Sequence, residues 1–239
     1  MKTLQLLNIV ILASLFFFSS SNRSAAWHDE THLAIARVAG YYKWYNSAGA
    51  DMAKLKAGKI ESHNHRAHNP PQTTVTAAMV MEQVARYNQI DKQGHLYGAI
   101  IASLRNYLEN RQKGKYGEYH LAYCAHYVGD LSQPLHNTLK DAYNKKYHKR
   151  TDGIVESEVM QNLEKIKIYP VQINSEQDLA TEIARIANRA KTLGYRLEAE
   201  DRLITREEAY QQLSDSASLF RAILHYVNSK PLLSTGKEF

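Results

Sequence analysis

Glycine and proline are scarce in this chain, 11 and 5 among 239 residues. Turn-dense all-β folds, collagen-like repeats and low-complexity chains need more of both, because glycine supplies positive φ and proline fixes bends. The scarcity favours helices. Hydrophobic residues at 44% and charged residues at 23% describe a globular chain, long enough to bury one sizeable core. Against that ordinary background, 11 histidines stand beside a single cysteine, and the formal charge is +6.

The N-terminus reads Met1-Lys2, a mostly apolar run from Leu4 to Phe18, then Ser19 to Arg23 and the small triplet Ser24-Ala25-Ala26. That is the pattern of a secretory signal peptide over residues 1–26, cleaved after Ala26. The apolar run is too short and too poorly flanked for a lasting membrane span. The expected mature chain is one domain, residues 27–239, secreted or periplasmic and without a transmembrane segment. Loss of Lys2 and Arg23 leaves 28 basic residues against 24 acidic ones, a charge of +4. That balance suits an anionic substrate or transient contact with a membrane surface, and equally a solubilised secreted domain. No feature calls for a protein partner. Cys124 alone makes no internal disulfide, so stability must come from the core or from metal.

Apolar residues recur at helical spacing from His32 to Tyr42, and a short helical stretch runs from Ala50 to Lys59. A loop rich in His and Asn follows, from Glu61 to Pro71. Helical patterns return over Val75 to Tyr87, Gly94 to Asn110 and Lys115 to Val128. A polar stretch from Asn137 to Gly153 leads to a predicted helix from Ile154 to Ile166, with Pro170 beyond it. Two late helices carry capping signals, Ser175 with Asp178 and Thr205 with Glu208. Lys167 to Ile173 has room for one short strand. The economical reading is one all-α, multi-helix domain.

Chemistry concentrates in His126-Tyr-Val-Gly-Asp130-Leu-Ser-Gln-Pro-Leu-His136. His126 and Asp130, four apart, project from one helix face, and two carboxylate oxygens let Asp130 bridge two ions. Gly129 and Pro134 mark a helix end and a new start, which turns His136 back toward the same cleft. His148 and Asp152 form a second pair at the same spacing. Imidazole and carboxylate without thiolate suit hydrolytic zinc better than structural zinc. Cleavage after Ala26 would also free the Trp27 amine, a metal donor once deprotonated, with His32 five residues on. His95, His120 and His225 lack such partners, and Cys124 reads as a small core residue.

These residues together resemble the superfamily of bacterial zinc-dependent phospholipases C and fungal and plant single-strand-specific zinc nucleases. The resemblance spans Trp27 to Asp152. It implies an all-helical fold around a cleft with three zinc ions. It implies that Asp130 bridges the first and third zinc and that His126 holds the first. His136, His148 and Asp152 would hold the second, and Trp27 and His32 the third. For the first zinc the family supplies an aspartate at a helix end and a histidine after a longer loop. Aligning Leu55 to His63 on that helix end puts His63 where the aspartate belongs, with His65 or His68 as the second ligand and Glu61 as the alternative carboxylate. Without a carboxylate there, the family's usual general base would be missing.

Zinc bridged by a carboxylate activates water for in-line attack on phosphorus. The implied activity is phosphodiester hydrolysis, with Asp130 positioning metal and Glu61 orienting water. Absence of disulfides and the short gap from His136 to His148 favour a phospholipase C acting on a lipid headgroup. The five-residue separation of Trp27 and His32, an aspartate at 152 and the basic balance favour a nuclease, which would also need an aromatic clamp for a base. The balance falls narrowly on phospholipase C. A non-catalytic periplasmic protein, buffering zinc through its histidine-rich loop, is the reading from another class.

Overall fold

The computed structural model describes residues 27–231. The expected signal peptide, residues 1–26, therefore lies outside the described residues. Among the described residues every regular element is helical and no β-strand forms. In chain order the α-helices are α1 (Asp29–Ala39), α2 (Gly49–Ala57), α3 (Lys59–Ser62), α4 (Ala77–Val84), α5 (Leu96–Asn110), α6 (Lys115–Leu131), α7 (Ala142–Asp152), α8 (Glu176–Ala199) and α9 (Arg206–Ser229).

The α5–α6 hairpin carries the main core. A short turn ending at Gly114 sends α6 back along α5, and Ile100, Ile101 and Leu104 of α5 join Leu121, Cys124 and Val128 of α6. Ile183 and Ile186 of α8 and Phe220 and Ile223 of α9 close the same cluster. Each such aliphatic or aromatic side chain contributes about 1.5–3 kcal/mol by leaving water. A second cluster gathers Trp27, Ile35, Val155, Val159, Leu197 and Leu213. Both late helices start with capping boxes, at Ser175/Asp178 and Thr205/Glu208, as the sequence signals predict. Among the described residues, no helix is long and apolar enough to cross a membrane.

Two segments differ from the sequence reading. The polar stretch from 137 to 153 contains α7, started by Asp141, whose side chain accepts the Asn144 N–H at 2.8 Å. Its apolar stripe is too thin to announce a helix. The predicted helix from Ile154 to Ile166 is instead a run of turns with two short 3-10 pieces, Val159–Gln161 and Leu163–Lys165. Val155, Val159 and Ile166 do face the second cluster, but Glu156 between them is committed elsewhere. Its carboxylate accepts the backbone N–H groups of Glu30 at 2.9 Å and Thr31 at 3.1 Å, and the Thr31 hydroxyl at 2.8 Å. A negative group there satisfies the positive, donor-rich start of α1. Residues 167–173 form no strand.

Candidate metal centre

α6 is an unusual core helix because its last two turns, which also bury Tyr127, Val128 and Leu131, bury His126 and Asp130 completely. A buried carboxylate is stable only with compensating donors or cations. Asp130 has imidazoles on both sides. Its Oδ2 stands 2.8 Å from Nδ1 of His65 and 3.4 Å from Nε2 of His126. Its Oδ1 stands 3.5 Å from Nε2 of His32 and 3.5 Å from Nδ1 of His136.

Around this hinge, three groups of side chains bring one ligand atom each to within 4.8 Å of one another: Asp51, His65 and His126; His32, His126 and Asp130; and His136, His148 and Asp152. These buried His/Asp groups can hold metal ions.

Local structure places each of these side chains. His32 comes from α1, and its ring lies over α6 because residue 129 is glycine: a β-carbon there would stand 2.4 Å from Nδ1 of His32. The His32 and His126 rings stack with centroids 3.7 Å apart. Ser47 joins the two elements, its hydroxyl donating to the His32 carbonyl at 3.1 Å and its carbonyl facing Nδ1 of His126 at 2.9 Å. That carbonyl fixes the tautomer with the proton on Nδ1, so the Nε2 lone pair of His126 faces Oδ1 of Asp51 at 3.6 Å and Oδ2 of Asp130. The space between that nitrogen and the two carboxylates suits a cation, a proton or a metal ion. Neither ring nitrogen of fully buried His32 has a hydrogen-bond partner, a second mark of the same kind.

The third group is built by Gln133. Its side-chain carbonyl accepts the His136 N–H at 3.0 Å, closing the Pro134–His136 turn, while its amide donates to Asp152. On α7, Asn144 takes the Nδ1 proton of His148 at 2.9 Å, leaving Nε2 3.2 Å from Nε2 of His136 and 3.4 Å from Asp152.

Among the sequence-derived candidates, His32, His65, His126, Asp130, His136, His148 and Asp152 converge here. Trp27 is fully buried in the second core cluster, and its terminal amine depends on cleavage within residues outside the described range. His63 and His68 fall in none of the three groups. Nδ1 of His63 lies 3.2 Å from the Arg66 guanidinium, and Nδ1 of His68 lies 2.8 Å from the Thr138 carbonyl. Burial lowers both pKa values from the ordinary histidine range, and Arg66 lowers that of His63 further.

Asp51 is the residue that the sequence reading missed. It lies in the first turn of α2, and it is Asp51, not His63, that faces His65 and His126.

Glu61 sits behind His65. Its Oε1 accepts the Tyr127 hydroxyl at 2.5 Å and lies 3.3 Å from Nε2 of His65, and its Oε2 accepts the Asn64 amide at 3.0 Å. His95 completes the chain, Nε2 to Asn64 Oδ1 at 2.8 Å. Burial, with Tyr87 and Glu61 adding to it, raises the Tyr127 pKa well above its ordinary value, so the phenol stays a donor. Burial pushes His95 down to about 4, keeping it neutral at physiological pH. No protein-family model matches the chain, and no curated protein matches it significantly.

Proposed function

We propose that this chain is a zinc-dependent phosphodiester hydrolase, secreted or periplasmic, of the phospholipase C and single-strand nuclease superfamily, acting on a phospholipid headgroup. The observation that carries the reading is Asp130, whose two oxygens face separate sets of imidazoles.

Zinc suits the donor set. A tetrahedral ion with bonds of roughly 2.0–2.1 Å needs ligand atoms about 3.3–3.4 Å apart. The separations of 3.2 Å for His136–His148, 3.4 Å for His148–Asp152 and 3.6 Å for Asp51–His126 lie near that edge length. Thiolate is absent from the set, since Cys124 is buried against the Ile100 carbonyl and its pKa is pushed up to about 12 by burial. Zinc supplies, when bound, Lewis acidity toward a phosphoryl oxygen and toward water.

The chain's own residues supply position and access. His126, His65, His136 and His148 are oriented by Ser47, Glu61, Gln133 and Asn144, which hold the ligands before any ion arrives. The side chains of Asp51 and His148, 12% and 28% exposed, are where solvent reaches their two groups. Glu61 is a poor base for that water because Tyr127 and Asn64 engage its two oxygens; Asp51 is the carboxylate within reach. The engagement of His63 and His68 by Arg66 and Thr138 weighs against a metal-buffering loop. A nuclease remains the second reading, favoured by the exposed rings of Tyr42 and Tyr45, which offer faces on which a base can stack.

Metal analysis of protein beginning at Trp27, with parallel assays on a choline phosphodiester and single-stranded DNA, tests the reading. The expected result is about three tightly held zinc ions and chelator-sensitive turnover of the choline ester. Tight zinc with turnover of neither substrate overturns it.

A further inference from the structure

Six of the nine large apolar side chains exposed among the described residues gather on two stretches: Tyr42, Tyr45, Met52 and Ile60, and then Tyr116 and Tyr119 at the start of α6. The stretches meet at Glu118. Its carboxylate accepts the Tyr42 hydroxyl at 3.1 Å and pairs with Lys43 at 3.3 Å. One turn beyond Tyr119, the Tyr123 ring lies against Gly49, the first residue of the helix that carries Met52. Contiguous exposed apolar patches on a protein surface mark sites of protein or membrane interaction.

The fixed charges on this face are mainly basic. Lys59, Lys113 and Lys115 are exposed and Lys43 is half-buried; against them stand Glu118, which is tied to Lys43, and the exposed Glu109, whose charge reaches His120 beside Tyr116. The Lys113 ammonium lies 6.0 Å from the centre of the Tyr116 ring. Amphipathic rings interleaved with lysines match the headgroup layer of an anionic bilayer, where tyrosine places its apolar body inward and its hydroxyl in water. Because no described helix is long and apolar enough to cross a membrane, contact through this face is peripheral. Met52 and Asp51 lie on the same turn of α2, so the face shares a helix with the partly exposed carboxylate of the centre.

We propose that the face formed by Tyr42, Tyr45, Met52, Tyr116 and Tyr119 with Lys43, Lys113 and Lys115 docks the protein on an anionic lipid bilayer. It brings the Asp51 side of the centre to the membrane surface. The inference rests on the phospholipase C reading for its purpose, but its measurement does not depend on turnover.

Co-sedimentation of the chain beginning at Trp27 with vesicles of phosphatidylcholine and phosphatidylglycerol, against phosphatidylcholine alone, provides the test. Preferential binding to the anionic vesicles is expected, weakening as salt rises from about 0.1 M to about 1 M. Lys113→Gln and Lys115→Gln should each lower the partition by about fivefold. Tyr45→Ser, Tyr116→Ser and Tyr119→Ser together should abolish binding, with zinc content and the circular-dichroism spectrum unchanged. Ile90→Ser with Tyr169→Ser, on exposed positions elsewhere, should leave binding intact. Equal binding to both vesicles, equal loss in that control, or binding of a single-stranded oligonucleotide without vesicle binding would each overturn the docking face. Turnover of a water-soluble choline ester without vesicle binding overturns docking alone; vesicle binding without any turnover supports docking and removes the hydrolase reading.

Discussion

Gly129 makes the space that His32 occupies: a β-carbon at 129 would sit 2.4 Å from Nδ1 and 2.7 Å from Cε1 of that ring. The glycine in the His126-to-Asp130 run therefore does not end the helix as expected, since α6 continues through it to Leu131; it makes room for a ring. It lets an imidazole from α1 stack on His126 and reach Oδ1 of Asp130.

Gly129→Ala is accordingly expected to push His32 out of the centre. Overpacking of this kind costs about 1–3 kcal/mol. The protein should lose thermal stability and one equivalent of bound zinc while the other equivalents remain. Full zinc content in a folded Gly129→Ala protein would remove His32 from the ligand set.

Asp51 and His63 make opposite predictions. Asp51→Asn keeps the shape of the side chain but removes the charge facing His65 and His126, and should weaken zinc binding at that group by more than about 100-fold, beyond the range typical of supporting residues. His63→Gln should leave zinc affinity unchanged, because its ring faces Arg66. Chelator competition on both variants checks the pair; the reverse pattern would restore His63 as the ligand.

Glu61→Gln tests the brace behind His65. A residue that orients a ligand without touching the ion typically contributes about 10–100-fold in metal affinity. We expect that loss in Glu61→Gln, and a smaller one in Tyr127→Phe, which removes only the hydroxyl donated to Glu61. Unaltered zinc affinity in Glu61→Gln would leave Glu61 without a role in the centre.

Acid should weaken the fold partly through His95. Its pKa is about 4 in the folded chain against an ordinary 6.5, so the unfolded chain takes up the proton first as pH falls. The stability present above pH 6.5 is lost through the window down to about 4, a change on the order of 3 kcal/mol. His95→Gln in metal-free protein should flatten that limb of a denaturant midpoint plotted against pH. An identical slope in parent and variant would show that other groups govern the acid limb.

The parts of the fold that were legible in the sequence are those fixed by local rules. Ser175 with Asp178 and Thr205 with Glu208 announce α8 and α9 because a capping box spans four residues. The α5–α6 hairpin shows in its apolar periodicity. In contrast, α7 buries little and rests on its Asp141 cap, so no stripe reveals it. Val155 and Val159, four apart, imitate a helix that Glu156 cannot join while it caps α1. The centre divides along the same line. His126, Asp130, His148 and Asp152 are visible as pairs on single helices. Asp51 meets His65 and His126 only through the packing of α2 against α6, and nothing in its neighbours marks it.

Asp130 has a thermodynamic consequence as well as a geometric one. Its two oxygens hang from one carbon, so drawing one oxygen toward His65 and His126 moves the other relative to His32 and His136. Occupancies on its two sides are thus linked, and linkage is reciprocal: whatever factor an ion on one side applies to affinity on the other is returned in full. A zinc titration should then follow a curve with an interaction constant, not a sum of independent isotherms.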